Sequence, residues 1–169
     1  MKKFTSFLLV LILMVMANAQ TGIPRAQAMF IYNFSRLIEW PDSYKSGPFI
    51  IGVYGSSPTL TELETYTTNK AVGSQPIQVR KFNSPAEIAN CHILFIPFGK
   101  TKEIPDVTQA IGSKSTLIIA EKNGAIEEGA AINFLIVGDK LKFEIKPSNA
   151  TDRRIKMSSK LSEMAFKTY

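Results

Sequence analysis

The chain has little of the two residue types on which many catalytic and metal sites depend. Its 169 residues contain one cysteine, Cys91, and one histidine, His92. A single cysteine excludes an intramolecular disulfide framework, and one cysteine with one histidine cannot supply the usual ligands of a structural zinc ion. Neighbouring residues of a strand point to opposite faces, so Cys91 and His92 are not expected to work together as nucleophile and base.

Other catalytic patterns are missing as well. Glu127 and Glu128 are adjacent in a loop, so their carboxylates are expected to diverge rather than to flank one substrate. No serine stands in a G-x-S-x-G motif. We therefore predict a protein that is not an enzyme, with no catalytic residues, no metal and no cofactor.

No apolar run in the sequence is long enough to cross a bilayer, which takes about 20 residues. The N-terminus instead has Lys2 and Lys3, then an apolar run from Leu8 to Met16, then Ala17-Asn18-Ala19. This order is typical of a secretory signal peptide, and we predict cleavage after Ala19. Residues 20–169 are then expected to form one soluble domain in the periplasm.

The positive charge of the chain is modest and scattered. There are 20 basic and 14 acidic residues, a net charge of +6, and removal of Lys2 and Lys3 with the signal lowers it to +4. A nucleic-acid binder usually concentrates its basic residues in a stripe with interleaved aromatics. Nucleic acid is therefore not expected as a partner, whereas attraction to an acidic surface remains open.

Apolar periodicity predicts an alternation of strands and helices. Strand–helix alternation favours a mainly parallel sheet between two helical layers. We predict an α/β, three-layer sandwich with flanking helices and a C-terminal antiparallel hairpin at one edge of the sheet. The expected helices are Pro24 to Trp40, Pro58 to about Asn69, one that starts at Ser84, Asp106 to Ile111 and Ser148 to Phe166. The expected strands are Phe49 to Tyr54, Gln75 to Phe82, His92 to Phe98, Thr116 to Ala120, Ile132 to Val137 and Leu141 to Ile145.

The turn Gly55-Ser56-Ser57 is the candidate ligand-binding segment. It follows the first expected strand and precedes a helix, where backbone N–H groups can hold an anion. Open α/β sheets also bind ligands at the carboxyl ends of their strands. The turn lacks a complete G-x-G-x-x-G or Walker pattern, so a tight turn with a helix cap is the alternative interpretation.

The first helix is unusually apolar around its circumference. Ile31, Tyr32 and Trp40 place large groups outside the face that is expected to be buried. A helix with this pattern is either enclosed in the core or faces a partner. The sequence leaves both possibilities open.

Three stretches of the chain, taken in their order and spacing, resemble one family. The first stretch is Phe30-Ile31-Tyr32-Asn33-Phe34 with Trp40-Pro41, the second is Cys91 to Ile96, and the third comprises the closing segments Ile132-Asn133-Phe134, Phe143-Glu144-Ile145 and Met157 to Leu161. All three are similar to the YfiR-like periplasmic proteins. The similarity covers nearly all of the chain after the signal.

The resemblance implies a regulatory protein that does no chemistry itself. A YfiR-like repressor binds the periplasmic part of an inner-membrane diguanylate cyclase, YfiN, and is released by an outer-membrane OmpA-like lipoprotein, YfiB. By this resemblance the chain would be a homodimer that represses a YfiN-like cyclase, with a YfiB-like lipoprotein as a further partner. The alternative is a periplasmic small-ligand sensor that acts with a different membrane receptor or kinase.

Two regions are expected to contact the partner. They are the aromatic first helix, and the hairpin with the basic segment that follows it; the candidate residues are Phe30, Tyr32, Trp40, Phe143, Arg153 and Arg154. YfiR-like proteins often carry several cysteines that form disulfides, and Cys91 alone departs from that pattern. We therefore expect no redox gating by an internal disulfide.

Overall fold

The computed structural model describes residues 22–169. The predicted signal peptide, residues 1–19, lies outside these described residues. The helices are α1 (residues 22–35), α2 (Pro58–Thr67), α3 (Ile104–Ile111), α4 (Pro147–Thr151) and α5 (Ser159–Met164). Short 3-10 helices occupy Asp42–Tyr44, Pro85–Glu87 and Phe98–Glu103. The strands are β1 (Ile38–Glu39), β2 (Phe49–Tyr54), β3 (Ala71–Val72), β4 (Gln75–Phe82), β5 (Ile93–Ile96), β6 (Leu117–Ala120), β7 (Ile132–Val137), β8 (Lys140–Ile145), β9 (Lys156–Met157) and β10 (Lys167–Thr168).

Eight of these strands form one sheet in the order β10-β8-β7-β6-β5-β2-β4-β3. The five central strands β4, β2, β5, β6 and β7 run parallel to one another. At one edge β8 runs antiparallel to β7, and at the other edge β3 runs antiparallel to β4. Strands β1 and β9 form a separate antiparallel pair. The prediction of an α/β fold with a mainly parallel sheet and a C-terminal hairpin is confirmed.

The central strands are buried on both faces, which explains why they are apolar without alternation. In β5, Ile93 and Phe95 pack toward α1, whereas Leu94 and Ile96 pack toward α3. The two sets of side chains belong to two separate hydrophobic clusters, one on each side of the sheet. Helices therefore cover both faces, as the predicted three-layer arrangement requires.

The hairpin between β7 and β8 turns at Gly138 and Asp139. Their φ angles are 52° and 61°, so both central residues have the positive φ that a two-residue type I′ turn needs. Val137 and Lys140 flank this turn as the first cross-strand pair. The turn fixes the register of the whole hairpin.

The first helix ends five residues earlier than predicted. It stops at residue 35, and the chain then forms β1, which pairs with β9. The Ser158 N–H also donates to the Leu37 carbonyl at 3.0 Å. Because Pro41 disfavours a helical Trp40, the chain becomes extended there and the small sheet satisfies its backbone groups.

The prediction of one closing helix from Ser148 to Phe166 is wrong. Residues 147–168 instead form α4, β9, α5 and β10 in succession. Arg154 has a φ of 59°, a left-handed conformation that ends a right-handed helix. The following strand then pairs with β1, and this long-range pairing overrides local helix propensity.

The helix predicted to start at Ser84 stops after one turn. Ser84 makes no side-chain cap, although one Glu87 carboxylate oxygen accepts from the Asn83 N–H at 2.9 Å and the other accepts from Ser84 Oγ at 3.2 Å. The chain returns to an extended conformation at Ile88, whose side chain is buried in the cluster around α3. Burial of this residue outweighs continuation of the helix.

Candidate functional site

Trp40 lies in the core, where it links the small sheet to the main one. Its side chain is 5% exposed, and its Nε1–H donates to the His92 carbonyl at 3.1 Å. The indole ring is edge-on to Phe49, with 5.0 Å between ring centroids. Trp40 therefore has a packing role, and almost all of its side chain is covered by the core.

The single histidine is also held inside this cluster. The His92 ring stacks on Phe49 at 4.2 Å, its Nδ1 accepts from the Ile50 N–H at 3.0 Å, and its Nε2 is 2.7 Å from the Tyr44 carbonyl. Because a carbonyl only accepts, Nε2 carries the proton and the ring is neutral. Burial lowers the pKa of His92. Both ring nitrogens are used structurally, which leaves neither free to act as a base.

Cys91 faces the other side of the sheet. Its thiol is fully buried, 4.0 Å from Thr116 Oγ1, and burial raises its pKa to about 12. The expectation that Cys91 and His92 point to opposite faces is confirmed, since the two residues pack in different clusters. A buried thiol with this pKa is a poor nucleophile.

The two phenylalanines that were expected to contact a partner pack against one another. Phe143 is 3% exposed and edge-on to Phe34, with 4.8 Å between ring centroids. Phe30 is half-buried, and its ring centroid is 5.6 Å from that of Phe143. These rings join α1 to the hairpin, so the aromatic character of α1 reflects enclosure more than exposure.

The two neighbouring arginines have different surroundings. Arg153 is buried, and its Nη1 donates to the Asn149 carbonyl at 2.9 Å and the Gly129 carbonyl at 3.5 Å. Burial lowers the pKa of Arg153. Arg154 is exposed, and its Nη2 donates to the Ser113 carbonyl at 3.1 Å. Of the pair, only Arg154 presents its side chain to solvent.

Tyr32 is half-buried at the surface of α1. Its ring lies edge-on to Tyr66 with 5.7 Å between centroids, and Lys70 Nζ is 3.2 Å from the Tyr66 centroid and 4.7 Å from that of Tyr32. The six predicted contact residues thus divide into three that are buried and three that reach the surface, the latter being Phe30, Tyr32 and Arg154.

The turn after β2 is accounted for by local contacts. Gly55 has a φ of 81°, and its N–H donates to the Phe82 carbonyl at 2.7 Å. Ser57 is the N-cap of α2, with its Oγ accepting from the Thr59 N–H at 3.2 Å, while Ser56 is exposed. These contacts match the alternative interpretation of a tight turn with a helix cap.

Two exposed large apolar side chains lie near the turn of the hairpin, and sequence reasoning missed them. Phe98 is 73% exposed and Ile136 is 54% exposed. Both line a cavity of about 290 Å³ that is completed by Glu121, Lys122, Asn123, Phe134, Leu135 and Leu141. Ile136 is the second-last residue of β7 and lies next to the hairpin turn. This position in the sequence could have indicated that its side chain lies beyond the neighbouring strands.

Two further observations concern residues 22–169. Within that range, no group of three or more histidine, cysteine, aspartate or glutamate side chains could hold a metal ion. None of the helices described there combines the length and the apolar character needed to cross a membrane.

The fold is thus a mainly parallel α/β domain whose single histidine and cysteine are used in packing, with exposed apolar side chains near its hairpin. The model of the YfiR/HmsC-like family matches residues 24–166, and the chain belongs to that family. The YfiR-like family consists of periplasmic, non-catalytic regulators of diguanylate cyclases. A search of the curated proteins found no match.

Proposed function

We propose that this protein binds the extracytoplasmic domain of a membrane diguanylate cyclase and represses it. The observation that carries the proposal is the match to the YfiR/HmsC-like family over residues 24–166. In such a role the protein lowers cyclic-di-GMP synthesis by contact alone. Its own side chains need no nucleophile, base or metal.

The burial of the two most reactive side chains and the exposure of two apolar ones support this role. Cys91 and His92 are both buried in packing contacts, and the large apolar side chains of Phe98 and Ile136 are exposed. Exposed apolar patches on a small protein often mark sites of protein binding. The hairpin region is therefore the part of the described surface most suited to a protein partner.

The proposal extends to export, assembly and release. The protein would be exported to the periplasm with cleavage of its signal peptide after Ala19. There it would act as a homodimer and leave the cyclase when an OmpA-like lipoprotein captures it. Because the thiol of Cys91 is buried and is the only one in the chain, release would depend on protein binding and not on an internal disulfide.

Deletion of the gene in its own organism tests the repression. We expect cyclic-di-GMP to rise in the deletion strain and to return to the wild-type level when the full-length protein is supplied from a plasmid. Deletion of a GGDEF-containing membrane cyclase in the same strain should remove the rise.

The control is a plasmid that encodes residues 20–169 without the predicted signal. This form should accumulate in the cytoplasm and fail to restore repression. An unchanged cyclic-di-GMP level in the deletion strain, with the protein shown to be expressed in the parent, would contradict the proposal.

A further inference from the structure

The β7–β8 hairpin extends past its neighbouring strands on both sides. Pairing of β6 with β7 ends at Asn133, and pairing of β10 with β8 covers only Glu144 and Ile145. The Phe166 N–H also donates to the Phe143 carbonyl at 2.8 Å. Residues 134–142, called the ribbon below, therefore have no third strand alongside them within the described part of the chain.

The ribbon leaves main-chain groups of β8 available at its outer edge. In a two-residue hairpin the pair that flanks the turn, here Val137 and Lys140, exchanges hydrogen bonds across the strands. In the next pair, Ile136 and Leu141, the N–H and C=O groups point away from the partner strand. Leu141 thus offers one donor and one acceptor to an added strand.

The side chains along this edge alternate between charged and apolar. Lys140 and Lys142 are exposed and project from one face of β8, while Leu141 projects from the other face beside Ile136. Neither lysine takes part in the ion pairs found among residues 22–169, which involve Lys45, Lys100 and Lys122. The edge therefore combines free positive charge with an exposed apolar side.

A second copy of the chain is a poor occupant for this edge. Two β8 strands paired antiparallel about Leu141 would place Lys140 opposite Lys142 of the other copy. A shift of register toward Glu144 is blocked because β10 already pairs there. Like charges directly opposite each other destabilise a strand pair, and lysines on an edge strand oppose self-association. The same lysines favour a strand that carries carboxylates.

We propose that the open edge of β8 receives an extended acidic segment of the membrane partner as an added strand. Carboxylates of that segment would lie opposite Lys140 and Lys142, and its alternate apolar side chains would pack beside Leu141 and Ile136. Strand addition of this kind gains affinity from main-chain hydrogen bonds and specificity from alternate side chains. The identity of the partner rests on the proposed function, whereas the chemistry of the edge does not.

Peptide binding tests the edge independently of the partner. The probe is a capped seven-residue peptide in which glutamates alternate with valines, and its control has lysines in place of the glutamates. Residues 20–169 labelled with ¹⁵N are titrated with each peptide at low salt. We expect the amide signals of Leu141 and its neighbours to shift, with the glutamate peptide at least about tenfold tighter than the lysine peptide.

The charge-reversed variant Lys140→Glu/Lys142→Glu should invert this preference. The matched control Lys81→Glu/Lys160→Glu changes the net charge equally at exposed positions on β4 and α5 and should leave the preference unchanged. Equal binding of both peptides, shifts confined to other strands, or no binding at all would overturn the proposal. Circular dichroism of each variant establishes that it is folded.

Complementation of the deletion strain separates this proposal from the proposed function. We expect Lys140→Glu/Lys142→Glu to leave cyclic-di-GMP high, and Lys81→Glu/Lys160→Glu to restore the low level. If deletion raises cyclic-di-GMP and both variants restore it, the function stands and the edge is not the docking site. If deletion has no effect, the function fails and the peptide titration alone decides whether the edge accepts an acidic strand.

Discussion

Replacement of Trp40 by alanine should destabilise the protein strongly, because its indole ring is enclosed by the core. The side chain is 5% exposed, packs on Phe49 and donates to the His92 carbonyl. Truncation of a buried tryptophan typically costs about 3–5 kcal/mol of unfolding free energy. We expect a loss in that range for Trp40→Ala.

The variant Trp40→Phe separates ring packing from the hydrogen bond. It keeps an aromatic ring and loses the Nε1–H donor, while the His92 carbonyl retains the Leu117 N–H at 2.8 Å. Because this carbonyl keeps one partner, the lost bond should cost only about 1 kcal/mol, and the smaller ring adds a cavity penalty. We expect Trp40→Phe to cost roughly half as much as Trp40→Ala.

Urea unfolding of residues 20–169, followed by far-ultraviolet circular dichroism, measures these free energies. Tyr32→Ala is the comparison. Because Tyr32 is only half-buried on α1, this variant should lose less unfolding free energy than Trp40→Ala. An unfolding free energy for Trp40→Ala that stays within about 0.5 kcal/mol of wild type, as is usual for surface sites, would refute the assignment of Trp40 to the core.

Three further predictions follow from buried polar groups. Burial lowers the pKa of His92 below its ordinary value of 6.5, so the unfolded chain binds a proton that the folded protein resists. The unfolding free energy should therefore fall as the pH drops below 6.5. Between pH 6.5 and 5 this fall should be smaller in His92→Gln than in the wild type. Urea unfolding measured at several pH values would contradict this if the free energy fell equally in the two proteins. The buried Cys91 thiol, with its pKa raised to about 12, should react with iodoacetamide at pH 8 at least about 100-fold more slowly in the folded protein than in urea, as mass spectrometry would show. Arg153→Ala should cost about 1–3 kcal/mol because two carbonyls lose their donor, whereas Arg154→Ala should stay within about 0.5 kcal/mol; equal thermal shifts for the two would argue against the structural role of Arg153.

Much of the sheet could be predicted from the sequence because its strands are short, apolar and bounded by turn residues. The observed limits of β2, β4 and β7 equal the predicted ones, and the turn at Gly138-Asp139 has the expected geometry. These features depend on neighbours in sequence. Local patterns are sufficient where local turn chemistry and strand burial agree.

The ends of the chain could not be predicted in this way. Both predicted terminal helices are interrupted by the pairing of β1 with β9. These two strands are about 120 residues apart in sequence. Helical spacing of Leu37, Ile38, Met157 and Leu161 is present in the sequence, yet tertiary pairing decides the backbone. Long-range pairing of two-residue strands has no local signal.

The same limit applies to the candidate site. Sequence reasoning expected Trp40, Phe143 and Arg153 to contact a partner, and the structure buries all three side chains. It did not single out Phe98 and Ile136, since exposure depends on where neighbouring strands end. The role of Phe30, Tyr32 and Arg154 in partner contact remains a prediction.

The central claim, contact with a membrane diguanylate cyclase, is tested most directly by photocrosslinking in living cells. Phe98 is replaced by p-benzoylphenylalanine in the full-length protein, and the buried Phe49 is replaced in the same way as the control. After irradiation we expect the probe at position 98 to give a membrane adduct that mass spectrometry identifies as a GGDEF-containing cyclase, with no such adduct from position 49. Adducts at position 98 that contain other envelope proteins and never a cyclase, in cells that express one, would contradict the account.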